Sequence, residues 1–303
     1  MKPSPRKHSL LAPIVSVIAL ALIGAVLYLK FHQGTPPATQ TTDTKTVASK
    51  QSETSANPIA HTDSQLQSLV DSWAAAQHYD TTVVVQELDG DLRGATHRAT
   101  QQMITASTYK IYVAYAVLHE VEQGTYTMNT TTRTGQTVSA ALNKMVLQSD
   151  NASAEALGFL VGWDKINQLA SAAGTTQTDI NNYNSAGLPL SGSKLSTATD
   201  LTTVITKLQS GTLLNATNTK LLLDLMKAQV WRQRIPAGVP AGVSVADKPG
   251  WLIADNSGTP SVQNDAAIVY GPHSTYTLVV MTGSDSTRPL ADLSEQVYDY
   301  LQE

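Results

Sequence analysis

The chain has 303 residues, a formal net charge of −4 at neutral pH, seven histidines and no cysteine. Its Lys and Arg residues are scattered rather than striped, which excludes a basic nucleic-acid-binding face, and the lack of cysteine excludes a disulfide framework and a lipidated thiol. The histidines show no H-x-H or H-E-x-x-H spacing, so neither a metal site nor a cofactor is expected.

Lys2, Arg6 and Lys7 precede a charge-free apolar run over residues 10–29, long enough at about 1.5 Å per residue to cross a bilayer. Pro13 is tolerable near its start, where backbone donors lack helical partners anyway. A cleaved signal peptide is the alternative, but the run is longer than a usual signal core and Tyr28-Leu29-Lys30-Phe31 offers no small-x-small cleavage site. The expected order is a cytoplasmic stub (1–9), a transmembrane signal anchor (10–29) and an outward-facing remainder, that is, a single-pass protein of the cell membrane. Residues 30–62 are Thr, Ser, Gln, Pro and Ala with almost no large apolar side chain, a composition that cannot offset the entropy of ordering. They read as a disordered extracellular linker, and residues 63–303 as one large domain.

Within that domain, Leu66, Leu69, Val70, Trp73 and Ala76 repeat at helical spacing over residues 65–77. Residues 81–88 are rich in β-branched side chains and end in Asp89-Gly90, a hairpin turn signal, so 92–98 return as a second strand. Residues 243–253, 266–270 and 276–282 read as three more strands and 290–301 as a closing helix. Between these groups nearly everything reads as helix and loop. The expected architecture is α+β of three-layer α/β/α type: a five-stranded antiparallel sheet flanked by terminal helices. Its sheet lobe comprises 63–104 plus about 227–303, and an inserted all-helical lobe about 105–226. A cleft between lobes is the natural place for a site.

Three clusters carry chemistry: Ser107-Thr108-Tyr109-Lys110, Ser149-Asp150-Asn151 and Lys248-Pro249-Gly250. Ser107 and Lys110 are three apart at the start of a long apolar helix, so they share a face, and burial would lower the Lys110 pKa until its neutral amine can take the Ser107 proton. The S-x-x-K pattern also occurs at Ser4/Lys7 and Ser191/Lys194, and only at Ser107 does it open such a helix. Ser149 can pass a proton to a leaving nitrogen, and Asn151 can hold a substrate carbonyl as well as Lys110. The same triplet also reads as a helix cap. Lys248 can polarise Ser149 and attract a carboxylate, Gly250 allows close approach of a substrate backbone, and the backbone N–H groups of Ser107 and Trp251 are the expected oxyanion-hole pair. The Trp and Tyr residues form no evenly spaced stacking array and read mostly as core or cleft wall.

This ordered set resembles the class A β-lactamase-like domain of the penicillin-recognising serine hydrolases, over about residues 81–303. The resemblance implies an acyl-enzyme on Ser107, with Lys110 as base, Ser149 as relay, Asn151 as clamp and Lys248 as anchor. It also implies a β-lactam or D-Ala-D-Ala-like peptide as substrate, peptidoglycan as partner and a monomer without cofactor. Two departures matter. Pro249 stands where the family usually has a hydroxyl that helps recognise a substrate carboxylate. The stretch Asp179-Ile180-Asn181-Asn182-Tyr183-Asn184-Ser185 lacks the Glu of Glu-x-x-Leu-Asn that activates the deacylating water, leaving Asp179 as the nearest carboxylate. Slow β-lactam hydrolysis is therefore expected. A D,D-peptidase or penicillin-binding protein is the alternative, and a non-catalytic cell-wall-binding module the alternative of a different class.

Overall fold

A computed structural model describes residues 61–181, 194–256, 258 and 260–303. The expected stub, membrane anchor and most of the linker lie outside these residues. Among the described residues no helix is long and apolar enough to cross a membrane.

The strands are β1 His61–Thr62, β2 Thr81–Glu87, β3 Arg93–His97, β4 Met103–Ile104, β5 Leu195–Ser196, β6 Ser244–Leu252, β7 Val262–Tyr270 and β8 Thr275–Thr282. The main sheet has six strands in the order β1-β3-β2-β8-β7-β6. Five are the expected antiparallel set. The sixth corrects the expectation twice: β1 falls in the segment read as linker, and it pairs parallel to β3 through His61↔Arg93 and Thr62↔Gly94. Two residues between a Thr-rich tract and a helix carry no periodicity, so the pairing leaves no mark in the sequence. A second unexpected pairing, β4 with β5, ties the stretch before Ser107 to the chain after residue 194.

The main sheet is covered on both sides, and alternation along each strand assigns the faces. Val83, Val85, Leu278, Val280, Ala267 and Val245 pack in one core with residues of the terminal helices α1 Ser64–Ala75 and α8 Arg288–Gln302. Val84, Val279, Met281, Ala266 and Ala246 pack in the other, with the helical lobe. That lobe contains α2 Lys110–Glu122, α3 Val138–Leu147, α4 Asn151–Val161, α5 Trp163–Ala172, α6 Ala198–Gln209 and α7 Ala216–Lys227. Most start on a side-chain cap that takes an otherwise orphaned N–H: Thr137 for α3, Asp150 for α4, Thr197 for α6 and Asn215 for α7. Helix α2 runs through the middle, with Ile111, Val113, Ala114, Val117 and Leu118 all buried, as its nearly all-round apolar sequence requires.

Candidate active site

The period of two that assigns the core faces also sorts the third motif. Counting from Ala246, Lys248 and Gly250 fall on the side of the helical lobe, while Asp247 and Trp251 fall on the other. Strand β6 is the sheet's edge, so its outer rim is open towards the lobe. Pro249, paired with Asp265, costs the ladder no donor if its nitrogen faces that rim, and by alternation the Trp251 N–H then faces the same way.

Ser107 does not open the α-helix itself. It sits on a 3-10 turn, Ala106–Tyr109, and the α-helix begins at Lys110. The turn is held from three sides. Ala106 adopts a left-handed φ of 44°, the Thr105 N–H donates to the Lys194 carbonyl at 2.9 Å, and the Asn264 amide donates to the carbonyls of Ile104 at 2.8 Å and Thr105 at 3.0 Å. Gly250 presses on it directly: a Cβ there would lie 2.7 Å from the Ser107 nitrogen and the Thr105 oxygen and 2.8 Å from the Thr108 nitrogen. Those are backbone atoms that cannot swing aside. Gly250→Ala is therefore expected to displace the Ser107 turn and slow acylation by about a hundredfold, the scale of an ångström-sized misplacement; stopped-flow acylation alongside circular dichroism would measure it.

The second cluster faces Ser107 across Lys110. Ser149 has a left-handed φ of 60°, Asp150 caps α4 through the Ser153 N–H at 2.7 Å, and Asn151 is the first residue of that helix. Capping and convergence thus share one loop. Left-handed φ at a non-glycine costs about 1–3 kcal/mol, and two of the four such residues described, Ala106 and Ser149, flank this site.

Lys110 is buried, and its Nζ lies 3.0 Å from Ser107 Oγ, 2.6 Å from the Ser149 carbonyl oxygen, 3.2 Å from Ser149 Oγ and 2.6 Å from Asn151 Oδ1. Lys248 Nζ donates to Ser149 Oγ at 3.0 Å and to the Pro249 carbonyl at 3.0 Å. Four predicted side chains, Ser107, Lys110, Ser149 and Asn151, therefore meet around one amine, and the fifth, Lys248, joins them through Ser149. Lys248 is 1% exposed, so it reaches Ser149 from behind and does not project into the cleft as a cleft-edge lysine would.

Burial lowers the Lys110 pKa to about 8; the Lys194 ammonium pushes it the same way, and Asp150 opposes. Burial also pulls Lys248 down to about 7, with repulsion from Lys110 next, against the pull of Asp247 and Asp265 behind the strand. An uncharged amine has two N–H donors and one lone pair. The carbonyls of Ser149 and Asn151 can only accept, so they take the donors and leave the lone pair for the Ser107 hydroxyl. Ser149 Oγ accepts from Lys248, which leaves its own proton free to be donated.

Three residues of this region were not legible beforehand. Asn264 is the first; an amide in the middle of a strand is the signal the sequence offers for it. Lys194, in a chance-looking S-x-x-K, holds its ammonium 4.5 Å above the Tyr109 ring and 4.6 Å from the Trp163 ring, and burial lowers its pKa to about 8. Trp231 packs against Trp251 with ring centroids 5.5 Å apart. Among the described residues the Asp179 carboxylate accepts from the Asn167 amide at 3.2 Å and the Asn181 N–H at 3.0 Å, and not from any group of the Ser107 cluster. The rest of that stretch, from residue 182, lies outside the described residues.

A comparison with curated proteins finds no match. Solved structures similar in fold include PBP-A, at 22% identity and a TM-score of 0.71 over 80% of this chain and 98% of that one. They also include the TLA-1 extended-spectrum β-lactamase, at 19% identity and 0.71 over 79% and 99%. A β-lactamase from Chitinophaga pinensis DSM 2588 is similar at 22% identity and 0.70 over 78% and 99%. A variant of PBP-A, 21% identical, has been solved as an acyl-enzyme complex with penicillin G. The model of the β-lactamase enzyme family matches residues 62–301, nearly the whole folded part with all three motifs in order, and the chain belongs to that family as a serine hydrolase.

Proposed function

We propose that this serine hydrolase is acylated at Ser107 by β-lactams and by D-Ala-D-Ala-like peptide amides, and that it releases the acyl group slowly. One observation carries the reading: a single buried amine, Lys110 Nζ, lies within hydrogen-bond distance of Ser107, Ser149 and Asn151, with Lys248 on the far side of Ser149. In the proposed sequence neutral Lys110 takes the Ser107 proton as Oγ bonds to the substrate carbonyl carbon. The N–H groups of Ser107 and Trp251 receive the charge that develops on the carbonyl oxygen. The C–N bond breaks as Ser149 gives its proton to the leaving nitrogen, and Ser149 is reprotonated from Lys110. Asn151 keeps one face towards Lys110 and offers its amide N–H₂ to the substrate.

Slow release follows from the chain between Asp179 and Ser185, which has no Glu to activate water; general-base help of that kind contributes roughly 10²- to 10⁴-fold. A chromogenic cephalosporin is expected to give a burst of one equivalent and then a stall. Steady turnover at the burst rate would contradict slow release, and absence of any burst would contradict acylation. The apolar run over residues 10–29 behind a basic stub supports an anchored enzyme facing a peptidoglycan wall. Protection of the stub, with the domain open to added protease on intact cells, is the matching result.

A further inference from the structure

Lys194 is a charged side chain with no part in the proton transfers above, yet it is built onto the turn that carries the nucleophile. Its carbonyl accepts from the Thr105 N–H at 2.9 Å and from Thr105 Oγ1 at 3.1 Å, and the next residue, Leu195, pairs with Ile104. Its side chain reaches the ring of Tyr109, two residues after Ser107, with Nζ 4.5 Å from the centroid; Lys110 Nζ lies 5.8 Å from the same centroid. The Trp163 ring, 4.6 Å from Lys194 Nζ, is seated by Gly158, where a Cβ would overlap it. Lys194 and Tyr109 are half-buried, as Ser107 is, so all three keep contact with solvent.

Among the described residues no carboxylate pairs with this ammonium. Glu155, whose charge favours it, pairs instead with Arg133 at 3.5 Å. Asp200 accepts from the N–H groups of Thr176 and Gln177 at 3.0 and 2.8 Å, and Asp179 from Asn167 and Asn181. Residues 180–193, which lead to Lys194 along the chain, contain no Asp or Glu. With its pKa lowered to about 8 by burial, Lys194 still holds its proton in about nine-tenths of molecules at pH 7. A half-desolvated cation resting on ring faces gains more from an arriving carboxylate than a fully solvated one does.

The place of this charge says which part of a substrate it meets. Lys194 repels Lys110, whereas the repulsion felt at Lys248 comes from Lys110 and Arg234. Lys194 and Lys248 therefore stand at opposite ends of the row that runs through Lys110 and Ser149. In the acyl-transfer reading Ser149 gives its proton to the leaving nitrogen, so the leaving side lies towards Lys248 and the acyl side towards Lys194.

We propose that Lys194, backed by Tyr109 and Trp163, is a carboxylate-binding subsite for the acyl side of the substrate, and that this hydrolase prefers substrates whose acyl portion carries a negative charge. The inference rests on the acyl-transfer reading and deepens it. The β-lactam or peptide amide keeps the carboxylate of its leaving side, and a second carboxylate on the acyl side sets the preference.

The test uses the full chain and two drugs, benzylpenicillin and carbenicillin, which is benzylpenicillin with one added carboxylate on its side chain. Second-order acylation constants, each divided by the drug's own hydroxide rate, are compared in wild type, Lys194→Met and Lys194→Arg. Wild type is expected to favour carbenicillin, and Lys194→Met to reduce the carbenicillin-to-benzylpenicillin ratio roughly three- to tenfold, the worth of a half-buried charge pair. Any effect of the lost charge on Lys110 falls on both drugs and cancels in that ratio. Lys194→Arg should retain most of the preference. Equal constants in wild type, a ratio unchanged in Lys194→Met, or a loss as large in Lys194→Arg as in Lys194→Met would overturn the subsite. If benzylpenicillin acylates wild type while the preference is absent, only the subsite has failed; if neither drug acylates it, the acyl-transfer reading has failed as well.

Discussion

Ser107→Ala is expected to abolish covalent labelling of the full chain by penicillin, with no adduct above background after exposures that label wild type completely. The oxygen that would bond to the acyl carbon is gone, and the neighbouring hydroxyl cannot stand in, because Ser149 Oγ is pinned between Lys110 at 3.2 Å and Lys248 at 3.0 Å. The loss should come without unfolding. Ser107 is only partly buried on its turn, which is held by the backbone and by Asn264 rather than by the Ser107 side chain. Intact-mass spectrometry measures this, and labelling of the alanine variant at the wild-type rate would place the nucleophile elsewhere.

Lys110→Met is expected to slow acylation by about 10²- to 10⁴-fold, the usual worth of a positioned base, while the apolar chain of Met fills the same buried space. The pH dependence of wild type separates this from a packing effect. With its pKa near 8 rather than 10.5, about a tenth of Lys110 is neutral at pH 7, against less than about a thousandth for an ordinary lysine. The acylation rate should therefore rise with pH as Lys110 loses its proton. It should fall again as Lys248, lowered to about 7, loses the charge that holds the Ser149 oxygen. Since the two amines lie on either side of that oxygen and repel each other when charged, the two limbs belong to the pair, and the maximum is expected at about pH 7 to 8. Stopped-flow acylation from pH 5 to 10 would trace the bell in wild type and lose its acid limb in Lys110→Met. A flat wild-type profile would remove Lys110 from the role of base.

The parts legible in the sequence were those with a period or a spacing. The β-branched run over residues 81–88 and the Asp89-Gly90 turn marked a hairpin strand, although that Val84 faces one core while Val83 and Val85 face the other is a property of the assembled sheet. The three-residue step from Ser107 to Lys110 held across a 3-10 turn followed by an α-helix because both conformations bring such neighbours together. Lys248 and Ser149 could be placed together through the family resemblance, but not through local pattern, since 99 residues separate them. Contacts made by one residue at long range stayed hidden for the same reason. Asn264 reaches Thr105 across 159 residues, and the Trp231 indole reaches Gln148 across 83. The β1–β3 pairing was hidden differently: its two-residue strand is too short for alternation to register.

The shared motif also explains why a cap and a proposed relay occupy one loop. Asp150 starts α4 by taking the Ser153 N–H, and that fixes Ser149 in a left-handed turn with its hydroxyl between the two lysines. A substitution that kept the hydroxyl but weakened the cap would loosen Ser149 and Asn151 together. The site is in this sense part of the helix-starting chemistry of the lobe.

The most direct measurement is peptide mapping of the wild-type chain after brief exposure to benzylpenicillin, followed over time. The account expects the mass of one intact penicillin on the peptide containing Ser107, appearing within the burst and persisting long after excess drug is removed. An adduct on a different peptide, or none on a folded chain, would contradict it.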